Sequence, residues 1–299
     1  MRTYNRCTQP GHRTVVALAV LAALLAAPVG RASELIDRNA TAVKLEVDPV
    51  GHALVTYKVG GKLRRVLAWG AVNALAPTRS RRQVAFKLDY SGGGKQVLSR
   101  LTCRDYDGPP LAWKVAACNA ADGSYWALQA WQRPLPNYGL SPRPAQSAWE
   151  LRLSHWTRPP AVLEVELNWA FRRYDHLFGT YTYGGKPVYG FKSTSAGVPL
   201  DTFGRNLYLD TYGSEYGRAW KRENSFLAHT GSGAFCYGLF PHGSRPAGKG
   251  SKYRLTVQGP GVTPDVMWQG DAPGPYDAAV DAEANARIAA LEDTLCKAN

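Results

Sequence analysis

The amino-acid sequence predicts an all-β protein, built from antiparallel β-sandwiches in two subdomains, with a C-terminal α-helix packed on a sheet. Three observations support this fold class. Short segments rich in β-branched and aromatic residues alternate apolar and polar positions, as half-buried strands do. Gly, Pro, Asn and Asp separate these segments at short intervals, which is typical of turns. Only residues 277–297 show the helical repeat of apolar residues.

The N-terminal half contains a series of predicted strands. Apolar and polar residues alternate over 41–47, and the turn sequence 48–51 follows. Gly60 and Gly61 supply the positive φ angles of a two-residue hairpin. The glycines at 92–94 lack the spacing of a phosphate-binding loop and predict another turn. The predicted strands are 41–47, 53–59, 63–72, 84–90, 97–103, 112–118 and 125–132.

A proline-rich segment predicts the boundary between the subdomains. Residues 133–146 contain four prolines, which remove too many backbone donors for a regular ladder. A short strand at 149–155 follows, and a second break lies at 157–160. We therefore expect an N-terminal β subdomain over 33–158 and a C-terminal β subdomain over 159–299, with a single continuous sandwich as the alternative.

The C-terminal half continues the pattern of strands and ends in the helix. Its predicted strands are 162–169, 178–183, 187–191, 206–210, 225–228, 234–240 and 252–257. Residues 277–297 contain no Gly or Pro, and Asp277 is the predicted N-cap. One face of this helix is apolar, which predicts packing against a sheet. That face consists of Val280, Ala284, Ile288, Leu291 and Leu295.

Residues 1–32 have the three parts of a signal peptide. Three arginines and no acid precede an unbroken apolar run at 15–27, and small residues flank position 31. The run is shorter than the roughly 20 residues of a membrane-spanning helix. We therefore predict cleavage after Ala32 and a protein that is secreted, extracellular or associated with the cell wall, with no later transmembrane segment. An uncleaved membrane anchor is the alternative.

Four cysteines remain after the predicted cleavage. An even number in an exported chain predicts disulfides, and the pairs we expect are Cys103–Cys118 and Cys236–Cys296. The alternative is a nucleophilic thiol at Cys236, seven residues after His229. No cysteine pair has the short spacing of a structural zinc site.

The chain is basic. Its formal net charge is +13, and removal of the four arginines in the leader leaves +9. Such a charge favours anionic partners, among them acidic polysaccharides and cell-wall polymers. The densest clusters are Arg64-Arg65 and residues 79–82, but no nucleic-acid-binding motif accompanies them. Nucleic acid is therefore not a predicted partner, and a charge that serves only solubility is the alternative.

Five short motifs together resemble a known group of proteins. They are Cys-Arg-Asp-Tyr-Asp-Gly-Pro-Pro at 103–110, Asp-Gly-Ser-Tyr-Trp-Ala at 122–127, Ser-His-Trp at 154–156, Gly-Arg-Asn-Leu-Tyr-Leu-Asp at 204–210 and Arg-Glu-Asn-Ser-Phe at 222–226. The mature chain is similar to an uncharacterised secreted protein family of high-GC Gram-positive bacteria. The resemblance implies a compartment and a source, and no particular activity.

The densest aromatic stretch, residues 171–240, is the predicted working surface. It holds 16 of the 33 aromatic residues and eleven glycines. Tyr212, Tyr216 and Trp220 stand among Gly, Ser and charged residues, which is typical of an exposed loop. Because aromatic rings bind the apolar faces of sugars, these three predict a glycan-contacting platform. Its predicted polar edge consists of Arg205, Lys221 and Glu223. The alternative is that the rings fill the core.

Three carboxylates in the same stretch are candidates for a hydrolase. Glycoside hydrolysis needs two carboxyl groups that flank the scissile bond, and Asp210, Glu215 and Glu223 are close in sequence. The alternative is that Glu223 pairs with Arg218 or Arg222 and that Asp210 accepts backbone hydrogen bonds in a turn.

Serine-hydrolase and metal chemistry have weaker support. No Gly-x-Ser-x-Gly motif occurs, and Ser154 and His155 point to opposite faces of a predicted strand. Asp175, His176 and His229 form a conceivable metal set, but the adjacent Asp175 and His176 also diverge in a strand. We predict no metal and no cofactor.

These observations together predict a secreted, disulfide-stabilised, β-rich binding or cell-surface protein that contacts carbohydrate or an acidic cell-wall polymer. The runner-up is a secreted carbohydrate-active hydrolase that uses a carboxylate pair. A third hypothesis is a structural envelope protein that only packs against the wall.

Overall fold

The structure, a computed structural model, describes residues 33–291 except 77, 79, 94–102, 133–147, 173, 189–191, 194–198, 201–206, 225–227, 230–232 and 242–245. Its strands are β1 (Glu34–Arg38), β2 (Thr41–Val47), β3 (Ala53–Val59), β4 (Lys62–Trp69), β5 (Lys87–Asp89), β6 (Arg104–Asp105), β7 (Lys114–Asn119), β8 (Tyr125–Gln132), β9 (Trp149–Trp156), β10 (Val162–Ala170), β11 (Tyr174–Tyr183), β12 (Lys186–Pro187), β13 (Lys192–Ser193), β14 (Pro199–Leu200), β15 (Leu207–Ser214), β16 (Gly217–Asn224), β17 (Ala228–His229), β18 (Ala234–Gly238), β19 (Lys252–Val257) and β20 (Val266–Asp271), and the helix is α1 (Ala278–Ala290).

The strands form four main antiparallel sheets. Sheet I has the order β1-β9-β8-β7-β6, and sheet II has the order β2-β3-β4-β5. Sheet III is β10-β11-β18-β17, with β12 added beside β11, and sheet IV is β16-β15-β19-β20. The short strands β13 and β14 pair with each other. The predicted all-β fold with antiparallel sheets is confirmed.

Sheets I and II enclose the first hydrophobic core. Alternate residues of each strand point inward, as the period of two requires, so Val55 and Tyr57 of β3 meet Trp126 and Leu128 of β8. Tyr57 and Trp126 are fully buried. Burial of a large apolar side chain contributes about 1.5–3 kcal/mol, so this layer stabilises the first sandwich.

Sheets III and IV enclose the second core. Leu177 and Tyr181 of β11 face Leu209 of β15 and Leu255 of β19, and all four are fully buried. Odd-numbered residues of β15 therefore point toward sheet III, and its even-numbered residues point to the opposite, outer face of sheet IV.

The helix covers the other face of sheet III, as the sequence predicted. Ala284 and Ile288 of α1 pack with Phe178 and Cys236 of that sheet in a small third core. The side chain of Asp277 caps the helix and accepts hydrogen bonds from the second and third backbone amides. The predicted last turn of the helix, with Leu295 and Cys296, lies outside the described residues.

One buried loop joins the two sandwiches. Residues 258–265, between β19 and β20, are all buried, and we call them the junction loop. Val262 of this loop belongs to the first core, although its neighbouring strands belong to sheet IV. In return, Ala74 from the first half of the chain belongs to the second core. Gly261 has a φ of 54°, and a Cβ there would lie 2.8 Å from the Cβ of Ala74, so only glycine allows this approach.

The main difference from the sequence prediction lies in sheet IV. The predicted strand 206–210 is the first half of a hairpin that runs through β15 and β16 to residue 224. The charged residues and glycines of 213–218 indicated an extended loop, but they form the turn and the solvent-exposed edge of the hairpin. An edge strand tolerates such residues because one of its sides is not hydrogen-bonded. Most of the predicted strands 97–103 and 225–228 lies outside the described residues.

Candidate binding surface

The β15–β16 hairpin carries the central pair of the candidate site. Tyr212 and Trp220 lie directly opposite each other in the register of the two strands. Their ring centroids are 5.4 Å apart, and the rings meet edge to face at 60°. Tyr212 is 40% exposed, and Trp220 is half-buried. The pair lies on the outer face of sheet IV, because Tyr212 is an even-numbered residue of β15.

Arg254 of β19 contacts this pair and connects it to the first sandwich. Its guanidinium carbon is 4.3 Å from the ring centroid of Trp220 and 5.3 Å from that of Trp113. Trp113 in turn stacks on Trp131, with centroids 5.4 Å apart and an interplanar angle of 17°. A cation–π contact contributes about 0.5–2 kcal/mol. One guanidinium group therefore helps to fix the positions of two tryptophan rings.

A buried carboxylate holds two arginines on the same face. One oxygen of Asp210 accepts a hydrogen bond from Arg222, and the other accepts two from Arg254, at 3.2 and 2.9 Å. The guanidinium carbon of Arg222 lies 4.3 Å from the ring centroid of Tyr208. The side chains of Asp210 and Arg222 are fully buried. We call Trp113, Tyr208, Tyr212, Trp220, Arg222 and Arg254 the aryl–arginine face.

Two backbone positions on this face have a left-handed conformation. Trp113 has a φ of 52°, and Ala219, next to Trp220, has a φ of 64°. Such conformations cost non-glycine residues of the order of 1–3 kcal/mol and concentrate at functional sites. The carbonyl of Trp113 accepts a hydrogen bond of 3.1 Å from the amide of Ala130, which holds the backbone in place.

Polar side chains border the exposed pair. Lys252 lies opposite Tyr212 in the register of β15 and β19, and its ammonium group is 3.2 Å from the carboxylate of Asp271. Gln269 of β20 lies opposite Arg254 and is exposed. These groups supply a charged residue and an amide at the rim of an aromatic surface.

The structure brings together two of the predicted ligand-binding residues. Tyr212 and Trp220 lie on the aryl–arginine face. Tyr216 is at the tip of the hairpin, where its hydroxyl donates a hydrogen bond of 2.9 Å to the backbone carbonyl of another loop. Lys221 points to the opposite face of sheet IV, according to its register with β15. Arg205 lies outside the described residues.

The three candidate catalytic carboxylates have different environments. Asp210 is engaged by two arginines on the outer face and not by backbone amides of a turn. Glu215 is exposed at the hairpin turn. Glu223 is buried and accepts a hydrogen bond of 3.1 Å from Tyr237 of sheet III. Asp210 therefore lies on the outer face of sheet IV, whereas Glu223 contacts sheet III, and a catalytic carboxylate pair stays a prediction.

Asp175, one of the residues considered for a metal site, has other partners. Tyr253 donates a hydrogen bond of 2.5 Å to one of its oxygens, and the ammonium group of Lys249 lies 3.4 Å from the other. Burial, followed by this hydrogen bond, raises the pKa of Tyr253. The side chain of His229 lies outside the described residues. Within the described part of the chain, no group of three His, Cys, Asp or Glu side chains is placed to hold a metal ion.

A serine–histidine contact is present that the sequence did not indicate. The hydroxyl of Ser124 is 2.8 Å from Nε2 of His155 and 2.6 Å from the carboxylate of Asp122. Nδ1 of His155 lies 2.5 Å from the carbonyl of Ala71, so in the neutral ring it is Nδ1 that carries the proton. Burial lowers the pKa of His155. Ser124 is fully buried, so this contact holds the start of β8 in place and is not open to a substrate.

The cysteines agree with an oxidising environment. Cys103 and Cys118 form a disulfide across a sequence separation of 15. Cys236 is also disulfide-bonded, which leaves no free thiol there for nucleophilic chemistry. Cys296 lies outside the described residues, so the Cys236–Cys296 pairing stays a prediction.

Comparisons with known proteins give no relative. No family model matches the chain, and neither the curated proteins nor the solved structures include a match. The resemblance to a secreted bacterial family therefore stays a prediction. Among the described residues, no helix has the length and apolar character of a membrane span.

Proposed function

We propose that this protein is a secreted, disulfide-stabilised binding protein that holds glycans, including acidic cell-wall polymers, on its aryl–arginine face. The observation that carries the proposal is the cross-strand pair of Tyr212 and Trp220, with Arg254 packed against the indole. Two rings in adjacent strands, braced by a guanidinium group, form a rigid apolar surface that remains in contact with solvent.

Such a surface fits a sugar for physical reasons. A pyranose presents apolar C–H groups on one side and hydroxyl groups around its edge, so it needs aromatic rings beside polar groups. The rings of Tyr212 and Trp220 supply the aromatic surface, and Lys252 and Gln269 supply the polar groups beside it. The rings lose little freedom on binding, because their neighbours already fix them, and this lowers the entropic cost of association.

Among glycans, the positive charge of the protein favours an acidic polymer as the ligand. Two arginines share the single carboxylate of Asp210, so this group of three keeps a net positive charge. The chain without the predicted leader is also basic, at +9. Exposed charges are screened beyond about 8 Å at physiological ionic strength, so binding of an acidic polymer should weaken with salt. Binding of a neutral glycan should change little.

The proposal is tested by calorimetric titration with a neutral β-glucan and with polygalacturonate, at low and high salt. Tyr212→Ala removes the most exposed ring of the face and should weaken binding at least about tenfold, which corresponds to ~1.4 kcal/mol. Trp149→Ala is the matched control, because Trp149 is an exposed ring of β9, outside the face. Equal affinity of Tyr212→Ala and the unaltered protein for every polymer bound would refute the proposal.

A further inference from the structure

A cavity in the first sandwich is separate from the aryl–arginine face. It has a volume of about 500 Å³, which is within the range of about 300–1,000 Å³ for small-molecule sites. It lies along β3 and β4 and the turn after β5. Its lining residues are Tyr57, Leu63, Arg64, Arg65, Tyr90 and Ser91.

The cavity is positively charged. Arg64 pairs with Asp37 of sheet I, with a distance of 2.6 Å between the guanidinium and carboxylate groups. Arg65 is exposed and has no ion-pair partner among the residues that the structure describes. Burial, followed by a hydrogen bond to Asp37, raises the pKa of Tyr57, which lies opposite Arg64 in the register of β3 and β4. One guanidinium group is therefore available for a ligand.

The same cavity exposes apolar surface. Leu63 and Tyr90 are each 57% exposed. A ligand that covers them gains roughly 25 cal/mol for each square ångström of apolar area removed from water. An inorganic anion would pair with the arginine but would leave this apolar surface exposed to water. The lining therefore favours a ligand that has both an anionic and an apolar part.

The turn beside the cavity is fixed before any ligand binds. The carboxylate of Asp89 accepts hydrogen bonds from the amide and hydroxyl of Ser91 and from the amide of Gly93, at 2.8, 2.9 and 3.1 Å. Gly92 has a φ of 76°, and a Cβ there would lie 2.6 Å from the Cβ of Arg65. The turn thus packs directly on the stem of Arg65, which limits the freedom that this side chain loses on binding.

We propose that this cavity binds a small molecule in which an oxyanion, phosphate or carboxylate, is attached to an aromatic or aliphatic group. Arg65 pairs with the oxyanion, and Leu63 and Tyr90 cover the apolar group. The planar guanidinium group suits both phosphate and carboxylate, since it donates two parallel hydrogen bonds to either. The site uses residues of the first sandwich only, so it is independent of the glycan surface.

The test uses calorimetric titration with phenyl phosphate, benzoate and inorganic phosphate. We expect phenyl phosphate or benzoate to bind saturably and at least tenfold more tightly than inorganic phosphate, and the tighter of the two organic probes identifies the oxyanion. Arg65→Gln keeps the Cβ methylene that lies nearest Gly92 and should weaken binding of the organic probe at least tenfold. Arg82→Gln is the matched control, because it removes the same charge from an exposed position outside the cavity and should leave the affinity unchanged.

Two results would overturn the proposal. The first is the absence of saturable binding for both organic probes. The second is an equal loss of affinity in Arg65→Gln and Arg82→Gln, because that would show a general effect of net charge. Tyr90→Ala provides a further check, since it should reduce the affinity for phenyl phosphate or benzoate and leave the weak binding of inorganic phosphate as it is.

Discussion

The hydroxyl of Ser33 donates a hydrogen bond to the carboxylate of Asp265, which lies 232 positions later in the chain, and both residues are buried. The same carboxylate accepts hydrogen bonds from the indole of Trp131, at 2.8 Å, and from the amide of Gly259, at 3.0 Å. Burial raises the pKa of Asp265. This one side chain connects Ser33, just before β1, with β8 of sheet I and with the junction loop.

Loss of the Asp265 carboxylate should therefore lower the free energy of unfolding substantially. Asp265→Ala leaves three buried donors without an acceptor, at about 1–3 kcal/mol for each donor. Asp271→Ala is the control, because the ion pair of Asp271 with Lys252 is exposed and worth about 0–1 kcal/mol. Urea unfolding measures both variants, and similar stabilities for the two would contradict this role of Asp265.

Stability should fall in mild acid because of His155. Burial lowers the pKa of this imidazole in the folded protein, whereas the unfolded chain keeps a value near 6.5. As the pH drops through 6.5, the unfolded state binds a proton first, so the free energy of unfolding decreases by up to about 1.4 kcal/mol for each unit of pKa difference.

Two variants separate this effect from other titrations. His155→Gln should flatten the dependence of the free energy of unfolding on pH between 7.5 and 5.5. His52→Gln is the matched control, since it removes a partly exposed imidazole in the turn between β2 and β3. An unchanged slope in His155→Gln would assign the acid sensitivity to another group.

Asp210 should behave as a structural residue. Its removal leaves two guanidinium groups, one of them fully buried, without their shared carboxylate, which typically costs about 3–5 kcal/mol. Asp210→Ala should therefore lower the midpoint of urea unfolding sharply. Glu215→Ala should change stability by less than about 0.5 kcal/mol, because Glu215 is exposed. A fully stable Asp210→Ala variant would reopen a catalytic role for this residue.

The Cys103–Cys118 disulfide should stabilise the first sandwich by about 3 kcal/mol, the value expected for a loop of about 15 residues. The double variant Cys103→Ser/Cys118→Ala removes it and leaves the other disulfide intact. Unfolding in urea measures the loss. Mass spectrometry of a non-reduced digest tests the pairing itself, together with the predicted Cys236–Cys296 bond, and free thiols at these positions would disprove it.

The sequence indicated the strands and the helix because their signals are local. Alternation over 41–47 and 53–59 matches β2 and β3 to the residue, and Asp277 caps the helix as predicted. The β15–β16 hairpin was only half predicted, since Gly213 and Gly217 and the charges around them have the composition of a loop. The long strand β15 pairs with β19 as well as with β16. No local sequence pattern shows the pairing with β19.

The candidate site was also only partly predictable from the sequence. Tyr212 and Trp220 are eight positions apart and share one dense aromatic stretch, so composition alone identified them. Arg254 and Trp113 come from distant segments. The sequence around each of them shows no local pattern that predicts a binding site. Their role depends on sheet order and on the contact between the sandwiches, which a single sequence does not encode in any short pattern.

The exchange of Val262 and Ala74 between the two cores sets a condition on the timing of folding. During synthesis, domains generally fold as units from the N-terminus, but the first core of this protein lacks one of its buried residues until position 262 has been made. The first sandwich therefore reaches its final packing only late in translation, after residue 262 has been made.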